Sequence, residues 1–555
     1  MPLLALTGFM GSGKSAAGRE LATRLRLRFI DLDDEIEAIA DTTIQNLFAT
    51  RGEDEFRRLE LAALRSVAEW AQEAGRRSGK RLEAIVALGG GTVTIPEARA
   101  LLRECGHTIW LQVEVAEAWR RVAGSGRPLA GDVAAFERLF MERRAAYLAA
   151  ADWSLDTSGL DVEQLVSRLE LLVNSTLGVD AEGNAWEDER PAKWSMDVAG
   201  TQRESRIWGG CGSRYRLSTW LRDHVQAGRQ VVIVTDEGVA EAWRRDLSYL
   251  ARLVGDNRDP LVVLPAGETT KSADNLFFLW ERLAAQGLHR DDVLVVVGGG
   301  VMGDLGGFAA ATYLRGIQLW QIPTSVIAQV DSSVGGKVAV NMPQGKNLVG
   351  TFYQPDRVLV DPCLLTTLPQ VQLQNGLGEV VKYALLLGGN AFTDLQRKAA
   401  ALLVPDPVTW SLVAKRCIEY KNAVVVRDEL DRGERAVLNL GHTTAHALER
   451  TAGYGRLGHG TAVALGLLVA LRVSEDLLGC STLVREKTVE LLSGLGLPTQ
   501  MVLPETEVLM AAMNFDKKAD AGGVNFVGLR SLGSPVVRLQ VPEEILQTAL
   551  KVIKA

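Results

Sequence analysis

The sequence predicts an α/β protein: a P-loop unit with a parallel sheet, a linker, a second α/β unit, and a mostly α-helical segment that closes the chain. Three observations carry this. An apolar run, Leu3–Leu6, feeds the G-x-x-x-x-G-K-S loop at residues 8–15, and a helical stretch leaves it. Short apolar runs then alternate with helical stretches across residues 1–174 and again from Ile207, the pattern of parallel strands joined by crossover helices. From about Leu373 the apolar spacing is helical for long stretches, with few β-branched runs before Val524–Gly528.

In chain order, the first strand is followed by a helix expected over 16–28, a strand at Phe29-Ile30, and strands at Ala84–Ala87 and Thr108–Leu111. Apolar residues at helical spacing (Val162, Leu165, Val166, Leu169, Leu172) make 161–174 the closing helix of a domain at 1–174. Residues 175–205 are rich in Gly, Asp, Glu and Pro and lack core periodicity, which marks a linker. The second α/β domain, 206–372, has fully buried strand candidates at Gln230–Thr235 and Val293–Val297, each bounded by Gly or Asp. Residues 373–555 form the helical domain. A length of 555 residues suits three or four folding units at about 150 residues each.

With 47% hydrophobic and 23% charged residues, the chain has the composition of an ordinary globular protein. Its net charge of −7 gives no general attraction for nucleic acid, so local basic residues are expected to hold small anionic substrates. The five cysteines are scattered, odd in number and without a C-x-x-C pair, so reduced thiols are expected rather than a disulfide framework or a thiolate zinc site. No leader pattern and no membrane-length apolar run is present, and a cytoplasmic location is expected.

The loop Gly8–Ser15 brings backbone N–H groups onto phosphate oxygens, with Lys14 reaching the outer phosphates and Ser15 placed for Mg²⁺. Downstream, period-2 alternation in Phe29-Ile30-Asp31-Leu32-Asp33 puts Asp31 and Asp33 on one strand face, where they would serve Mg²⁺ and a substrate hydroxyl; either Asp alone reads equally as a helix cap. Glu55-Phe56-Arg57-Arg58, Gly89-Gly90-Gly91 and Arg127-Pro128-Leu129 complete a pocket for an anionic substrate. These residues resemble shikimate kinase over nearly all of 1–174. The resemblance implies an ATP and Mg²⁺ site at Gly11, Ser12, Gly13, Lys14, Ser15 and Ala16, with Arg127 in a lid over ATP. It also implies shikimate held by Asp33, Arg57, Gly90 and Arg143, with Asp31 on Mg²⁺ and the attacked hydroxyl. Two departures are visible: 71–82 reads as an extra polar insertion, and Arg143-Arg144-Ala145-Ala146-Tyr147 lacks the proline usual after the substrate arginine. Gluconate kinase and adenylate kinase relatives share the fold without this ordered combination.

In the second half, Gly298-Gly299-Gly300 follows a buried strand and leads into a small-residue helix, which brings backbone close to a pyrophosphate but lacks the G-x-G-x-x-G spacing. Asp236 and Pro265-Ala266-Gly267-Glu268 with Lys271 are candidates for a ribose. Three histidines fall within eighteen residues, His442 and His446 at i, i+4 and then His459; beside Arg435, Asn439 and Glu379 they favour an open catalytic zinc site over scattered core histidines. Lys337 and Lys346-Asn347 flank a short Gly-rich loop, and with Lys382 and Arg435 they outline a phosphate or carboxylate subsite.

Further signatures are Tyr313-Leu314-Arg315-Gly316, Gln329–Lys337, Glu379-Val380-Val381-Lys382-Tyr383, Asn439-Leu440-Gly441-His442 and Asp516-Lys517-Lys518. From about Ile207 onward the chain resembles 3-dehydroquinate synthase. The resemblance implies zinc on Glu379, His442 and His459, which moves His446 to the substrate phosphate or to proton transfer. It implies an NAD⁺ site made of Asp236, Ala266, Gly267, Glu268, Thr269, Thr270, Lys271, Gly299, Gly300, Val301, Met302, Gly303, Asp304, Thr324, Ser325, Lys337, Lys346, Leu364, Leu365, Thr366 and Thr367. Substrate contacts or catalysis fall to Lys337, Lys346, Asn347, Lys382, Arg435, Asn439, His446 and Lys517, with Arg315 reaching a neighbouring subunit of a homodimer formed through this half. Ala266 for the usual Asp, Ser325 after Thr324, and Thr461 for the usual Glu are departures. Glycerol dehydrogenases share the fold, but the lysines have no use on an uncharged triol. The expectation is therefore a bifunctional enzyme of aromatic biosynthesis that takes small-molecule substrates; the alternative is that one half is an inactive regulatory or assembly module.

Overall fold

The computed structural model describes residues 2–78, 80, 82–122, 133–177, 193–198, 200, 203–255, 259–403, 406–453, 456–515 and 524–555. The chain divides into two compact units. The first takes Met1–Arg190 with Tyr215–Ala227 and Trp243–Asp256, and the second takes Pro191–Arg214, Gly228–Ala242 and Asn257–Ala555.

The first unit is built on five parallel strands, β1 (Leu3–Thr7), β2 (Arg28–Asp31), β3 (Ala84–Ala87), β4 (Gly106–Gln112) and β5 (Trp153–Asp156), in the order β2-β3-β1-β4-β5. The continuous apolar runs are explained by this placement: β1 and β3 are buried along their whole length, as strands of a parallel sheet covered on both faces are. The chain reverses direction around β1, so the P-loop at its carboxyl end lies at a topological switch point, where ligands bind in open α/β sheets. The loop helix runs Lys14–Arg24, two residues earlier at its start than the spacing suggests, and β2 already begins at Arg28. Residues 71–78, expected as an insertion, continue the second of two helical stretches in Ile44–Ser78, which break at Gly52 (φ 80°), and bury Ala71. Two helices from beyond the expected linker also belong to this unit, Arg216–Gln226 and Arg244–Val254. Tyr249 is buried in the same apolar cluster as Trp110 and Tyr147.

The second unit has a seven-stranded sheet of β6 (Lys193–Val198), β7 (Ser205–Gly210), β8 (Val231–Asp236), β9 (Leu261–Leu264), β10 (Val293–Gly298), β11 (Gln318–Pro323) and β14 (Arg357–Val360), in the order β6-β7-β14-β11-β10-β8-β9. All neighbours are parallel except β6 and β7. The stretch read as a linker thus contributes an edge strand. Between β11 and β14, β12 (Lys337–Met342) and β13 (Gly345–Phe352) pair as an antiparallel hairpin where the sequence reading saw only a Gly-rich loop. The last strands, β15 (Val524–Leu529) and β16 (Pro535–Val541), pair with each other.

The helices after residue 369 gather around the His459–Leu478 helix, whose stretch 462–471 is apolar and buried on every face, while Arg472, Glu475 and Asp476 bring charge to its last turns. Asp406 caps the Pro407–Arg427 helix by accepting from Thr409 N at 2.8 Å, with Pro407 in the first turn, where its missing N–H costs nothing. All five cysteines are buried and unpaired. Among the described residues, no helix is long and apolar enough to cross a membrane.

Candidate active sites

In the first unit the P-loop turns on glycines with positive φ, Gly11 at 78° and Gly13 at 89°. Gly13 precedes the helix as its N-cap, so the helix N-terminus and loop N–H groups face the same space. The Lys14 ammonium donates to Gly8 O at 2.9 Å and Phe9 O at 3.2 Å. The aspartates differ from the strand-face expectation. β2 ends at Asp31, which caps the Leu32–Ala40 helix by accepting from Asp33 N at 3.2 Å; Asp33 sits in the first helical turn. Alternation is therefore not what relates them; a helix cap is.

The tri-glycine segment is where Asp33, Arg57 and Arg143, the residues expected to hold a substrate, meet. A Cβ on Gly89 would lie 3.2 Å from Asp33 Oδ1, and one on Gly91 would lie 2.5 Å from Arg57 Nη1 and Nη2. Arg143 Nη1 donates to Gly90 O at 3.2 Å, and the Tyr147 hydroxyl donates to the same oxygen. Arg57 is held by Glu60 at 2.6 Å and Glu53 at 3.0 Å. Fully buried Glu60 also accepts from Thr92 Oγ1. Burial and these two carboxylates act in opposite directions on Arg57, and the net effect raises its pKa. Arg127 lies outside the described residues.

In the second unit the sheet reverses between β8 and β10, and Asp236 and Gly298–Gly300 stand at that crevice. Asp236 caps the following helix by accepting from Val239 N at 3.0 Å. Gly299 and Gly300 lie against the Ser325 and Ser332 hydroxyls, each 3.2 Å from an added Cβ, while Thr324 N donates to Gly298 O at 3.0 Å. Val301, Met302, Gly303 and Asp304 form the first turns of the Gly300–Thr312 helix. Buried Lys271 pairs with Asp304 and with Asn347 Oδ1, and Glu268 accepts from Asn341 at 2.7 Å. Ala266, Gly267, Thr269 and Thr270 make the turn between β9 and Lys271. Leu364 and Leu365 are buried in a short 3₁₀ turn, where the Thr366 and Thr367 hydroxyls donate to Cys363 O at 2.7 Å and Leu364 O at 3.4 Å.

Glu379, His442 and His459 come from three helices, and their ligand atoms all lie within 4.8 Å of one another. Glu379 Oε1 is 3.2 Å from His442 Nε2 and 3.1 Å from His459 Nε2. Ligands at ~2.0–2.1 Å on a tetrahedron are about 3.3 Å apart, so this set fits a zinc ion. The ring nitrogens are sorted accordingly. His442 Nδ1 lies 3.2 Å from Leu440 O and His459 Nδ1 lies 3.4 Å from Glu449 Oε2, which leaves Nε2 of each for a metal. Backbone contact makes the convergence possible: a Cβ on Gly378 would stand 2.1 Å from Gly460 O, and one on Gly460 would stand 1.5 Å from Asn375 O. His446 is exposed and outside the cluster, its ring centroid 5.5 Å from that of His442.

Basic side chains surround this centre. Lys382, almost fully buried, lies 2.5 Å from Glu379 Oε2 and 3.3 Å from Asp331 Oδ2. Asp331 also accepts from Tyr383 OH at 3.0 Å and pairs with Lys421. Burial works against the Glu379 charge, but Lys382 and His442 hold its carboxyl well below the ordinary range. Arg435 donates to Glu429 O at 2.6 Å and Gly335 O at 2.9 Å, while its Nε is buried without a partner among the described residues. Lys346 lies 3.1 Å from Glu449 and Lys337 lies 2.5 Å from Asp431. Asn439 ends the turn leading to Gly441. Arg315 is exposed at the far end of the Gly300–Thr312 helix, and Lys517 lies outside the described residues.

Residues 261–375 match the family model of the 3-dehydroquinate synthase N-terminal part, 376–519 that of the 3-dehydroquinate synthase C-terminal part, and 10–172 that of shikimate kinase. The 3-dehydroquinate synthase of Acidithiobacillus ferrooxidans (strain ATCC 53993) is 41% identical over 322 residues, covering 58% of this chain and 88% of that protein. The chain belongs to the 3-dehydroquinate synthase family. Ahead of its synthase part stands a shikimate kinase domain, so the chain is a fusion of two enzymes. Among solved structures, 2-deoxy-scyllo-inosose synthase complexed with carbaglucose-6-phosphate, NAD⁺ and Co²⁺ shares 25% identity at a TM-score of 0.56, covering 64% of this chain and 99% of its own. The 2-epi-5-epi-valiolone synthase of Streptomyces hygroscopicus subsp. jinggangensis 5008, with NAD⁺ and Zn²⁺ bound, shares 26% at 0.54, covering 59% and 90%.

Sequence reasoning missed several residues of the synthase and kinase sites. Lys421 occupies the buried stripe Trp410, Val413, Cys417, Val424 of its helix, and a lone lysine in such a stripe is the available signal. Glu449 shares a helix face with His442 and His446 at i+7 and i+3. Glu60 interrupts the apolar run Leu59 to Leu64.

Proposed function

We propose that the chain phosphorylates shikimate to shikimate 3-phosphate with ATP, and converts 3-deoxy-D-arabino-heptulosonate 7-phosphate to 3-dehydroquinate and phosphate with NAD⁺ and zinc. The reading rests on one observation above all: each site gathers its expected residues, the P-loop beside Asp33, Arg57 and Arg143 in one, and the metal trio beside buried Lys382 in the other. In this reading 1–174 hold the kinase chemistry, 206–372 the NAD⁺ site, and 373–555 the metal and most substrate residues.

In the kinase, Lys14, now on its loop carbonyls, would reach the outer phosphates of ATP, and Ser15 with Asp31 would hold Mg²⁺. Arg57 and Arg143 clamp the shikimate carboxylate bidentately, and Asp33 accepts from a ring hydroxyl, so catalysis is positioning plus charge neutralisation. In the synthase, Glu379, His442 and His459 would hold zinc, as the Zn²⁺ and Co²⁺ of the two solved relatives suggest. When bound, zinc supplies Lewis-acid polarisation of a substrate oxygen and NAD⁺ supplies hydride acceptance and return. Lys382, Lys421 and Arg435 present desolvated positive charge to the substrate, Lys337, Lys346, Asn347 and Asn439 orient it, and exposed His446 moves a proton at the phosphate. Arg315 lies beyond the carboxyl end of the Gly300–Thr312 helix, itself about 18 Å long. Its exposed position there supports a role at the partner's site in a homodimer formed through the synthase half.

The test measures zinc content and both activities on one purified chain and two variants. Lys14→Ala is expected to abolish phosphoryl transfer with synthase turnover intact, and His459→Ala to do the reverse. Joint loss in either variant contradicts two independent sites.

A further inference from the structure

The metal trio does not account for the buried carboxylate beside it. Glu449 is 4% exposed on the His442–Ala452 helix, and each of its oxygens answers a different part of the synthase. Oε2 stands 3.4 Å from Nδ1 of His459, the first residue of the long buried helix, and Oε1 stands 3.1 Å from Nζ of Lys346 on the β12–β13 hairpin. A carboxylate accepting from Nδ1–H fixes the tautomer and the ring plane, which directs the Nε2 lone pair at the metal and raises its basicity. The same carboxylate anchors a lysine that would otherwise swing on four methylenes.

We infer that Glu449 is a positioning residue that holds His459 as a metal ligand and ties Lys346 to the metal centre, so that metal binding and placement of a substrate-facing lysine run through one side chain. This rests on the zinc reading of Glu379, His442 and His459.

The experiment uses the full chain. Zinc dissociation constants are measured by competition with a chromophoric chelator for wild type, isosteric Glu449→Gln, and Glu449→Ala. Zinc-stripped melting curves are recorded alongside, and heptulosonate phosphate KM is measured for Glu449→Gln, Lys346→Met and the double variant. Glu449→Gln is expected to weaken zinc about tenfold and Glu449→Ala up to about a hundredfold, without lowering the zinc-stripped melting temperature of the isosteric variant. With zinc saturating every variant, each single variant should raise KM, and the double variant should be no worse than Lys346→Met alone. Unchanged zinc affinity in both Glu449 variants, or fully additive effects on KM, overturns the inference while the zinc reading stands. A wild-type chain that takes up no zinc overturns both.

Discussion

His442 and His446 stand four residues apart on one helix, yet only His442 presents Nε2 to Glu379, because the third ligand arrives from a different helix at His459. Spacing along a helix reports which side chains share a face and says nothing of what the face meets. His459→Ala is therefore expected to lose zinc, since two remaining ligands hold it far more weakly, whereas His446→Ala keeps one zinc per chain and turns over at least about a hundredfold more slowly. Elemental analysis of both purified variants decides; a zinc-free His446 variant beside a loaded His459 variant reverses the roles. In the kinase, Asp33→Asn should raise the shikimate KM about tenfold or more, the cost of a hydrogen bond to a charged group, with the ATP dissociation constant within about twofold of wild type. A selective loss of ATP affinity removes Asp33 from the shikimate side.

Elements that are continuous apolar runs were readable from the chain: β1, β3, β8 and β10 coincide with those runs to within a residue or two, because a strand buried on both faces must be apolar throughout. Asp31 and Asp33 were misread because alternation carried on across a strand-to-helix boundary. The acidic first turn Asp33-Asp34-Glu35, which suits a helix N-terminus, was the local sign of that boundary. The partners of Lys421 and Glu449 were illegible for another reason: Asp331 and Lys346 lie 90 and 103 residues away, and no local pattern encodes such pairs. Where helices touch, small residues decide. Gly460→Ala would push a methyl into Asn375 O, so the His459–Leu478 helix must move away from the Glu379 helix. It should cost at least about 1–3 kcal/mol in urea unfolding and also lose zinc. Gly389→Ala, with nothing within 4 Å of its added carbon, is the control and should stay within about 0.5 kcal/mol of wild type. Equal behaviour of the two variants removes the close-contact explanation.

At the scale of the molecule, the kinase unit reaches past the segment that matches its family. Ser218 Oγ donates to Asp152 O at 2.9 Å, Arg222 pairs with Asp152 at 3.0 Å and Arg245 with Glu114 at 3.2 Å. Tyr249 meets Trp110 edge-on with centroids 6.3 Å apart, and Trp110 stacks on Tyr147, whose hydroxyl serves Gly90. Tyr249→Ala should destabilise the kinase unit by about 3–5 kcal/mol, the cost of truncating a buried aromatic, so that kinase activity fails at a lower temperature than synthase activity. Parallel heat inactivation of the two activities checks this, and coincident loss with the wild-type profile counts against it. A fragment ending at residue 177 should melt lower than the kinase within the full chain. None of this was legible beforehand, because Arg216–Gln226 and Arg244–Val254 alternate in sequence with strands of the other sheet. The interleaving also sets an order of events on the ribosome. The first unit is incomplete when its own domain sequence has emerged; Tyr249 and its helix follow about eighty residues later, roughly 4–16 seconds of synthesis at ordinary elongation rates. During that interval the face around Trp110 that Tyr249 will cover stays open, so nascent-chain chaperones have a defined window in which to bind this enzyme.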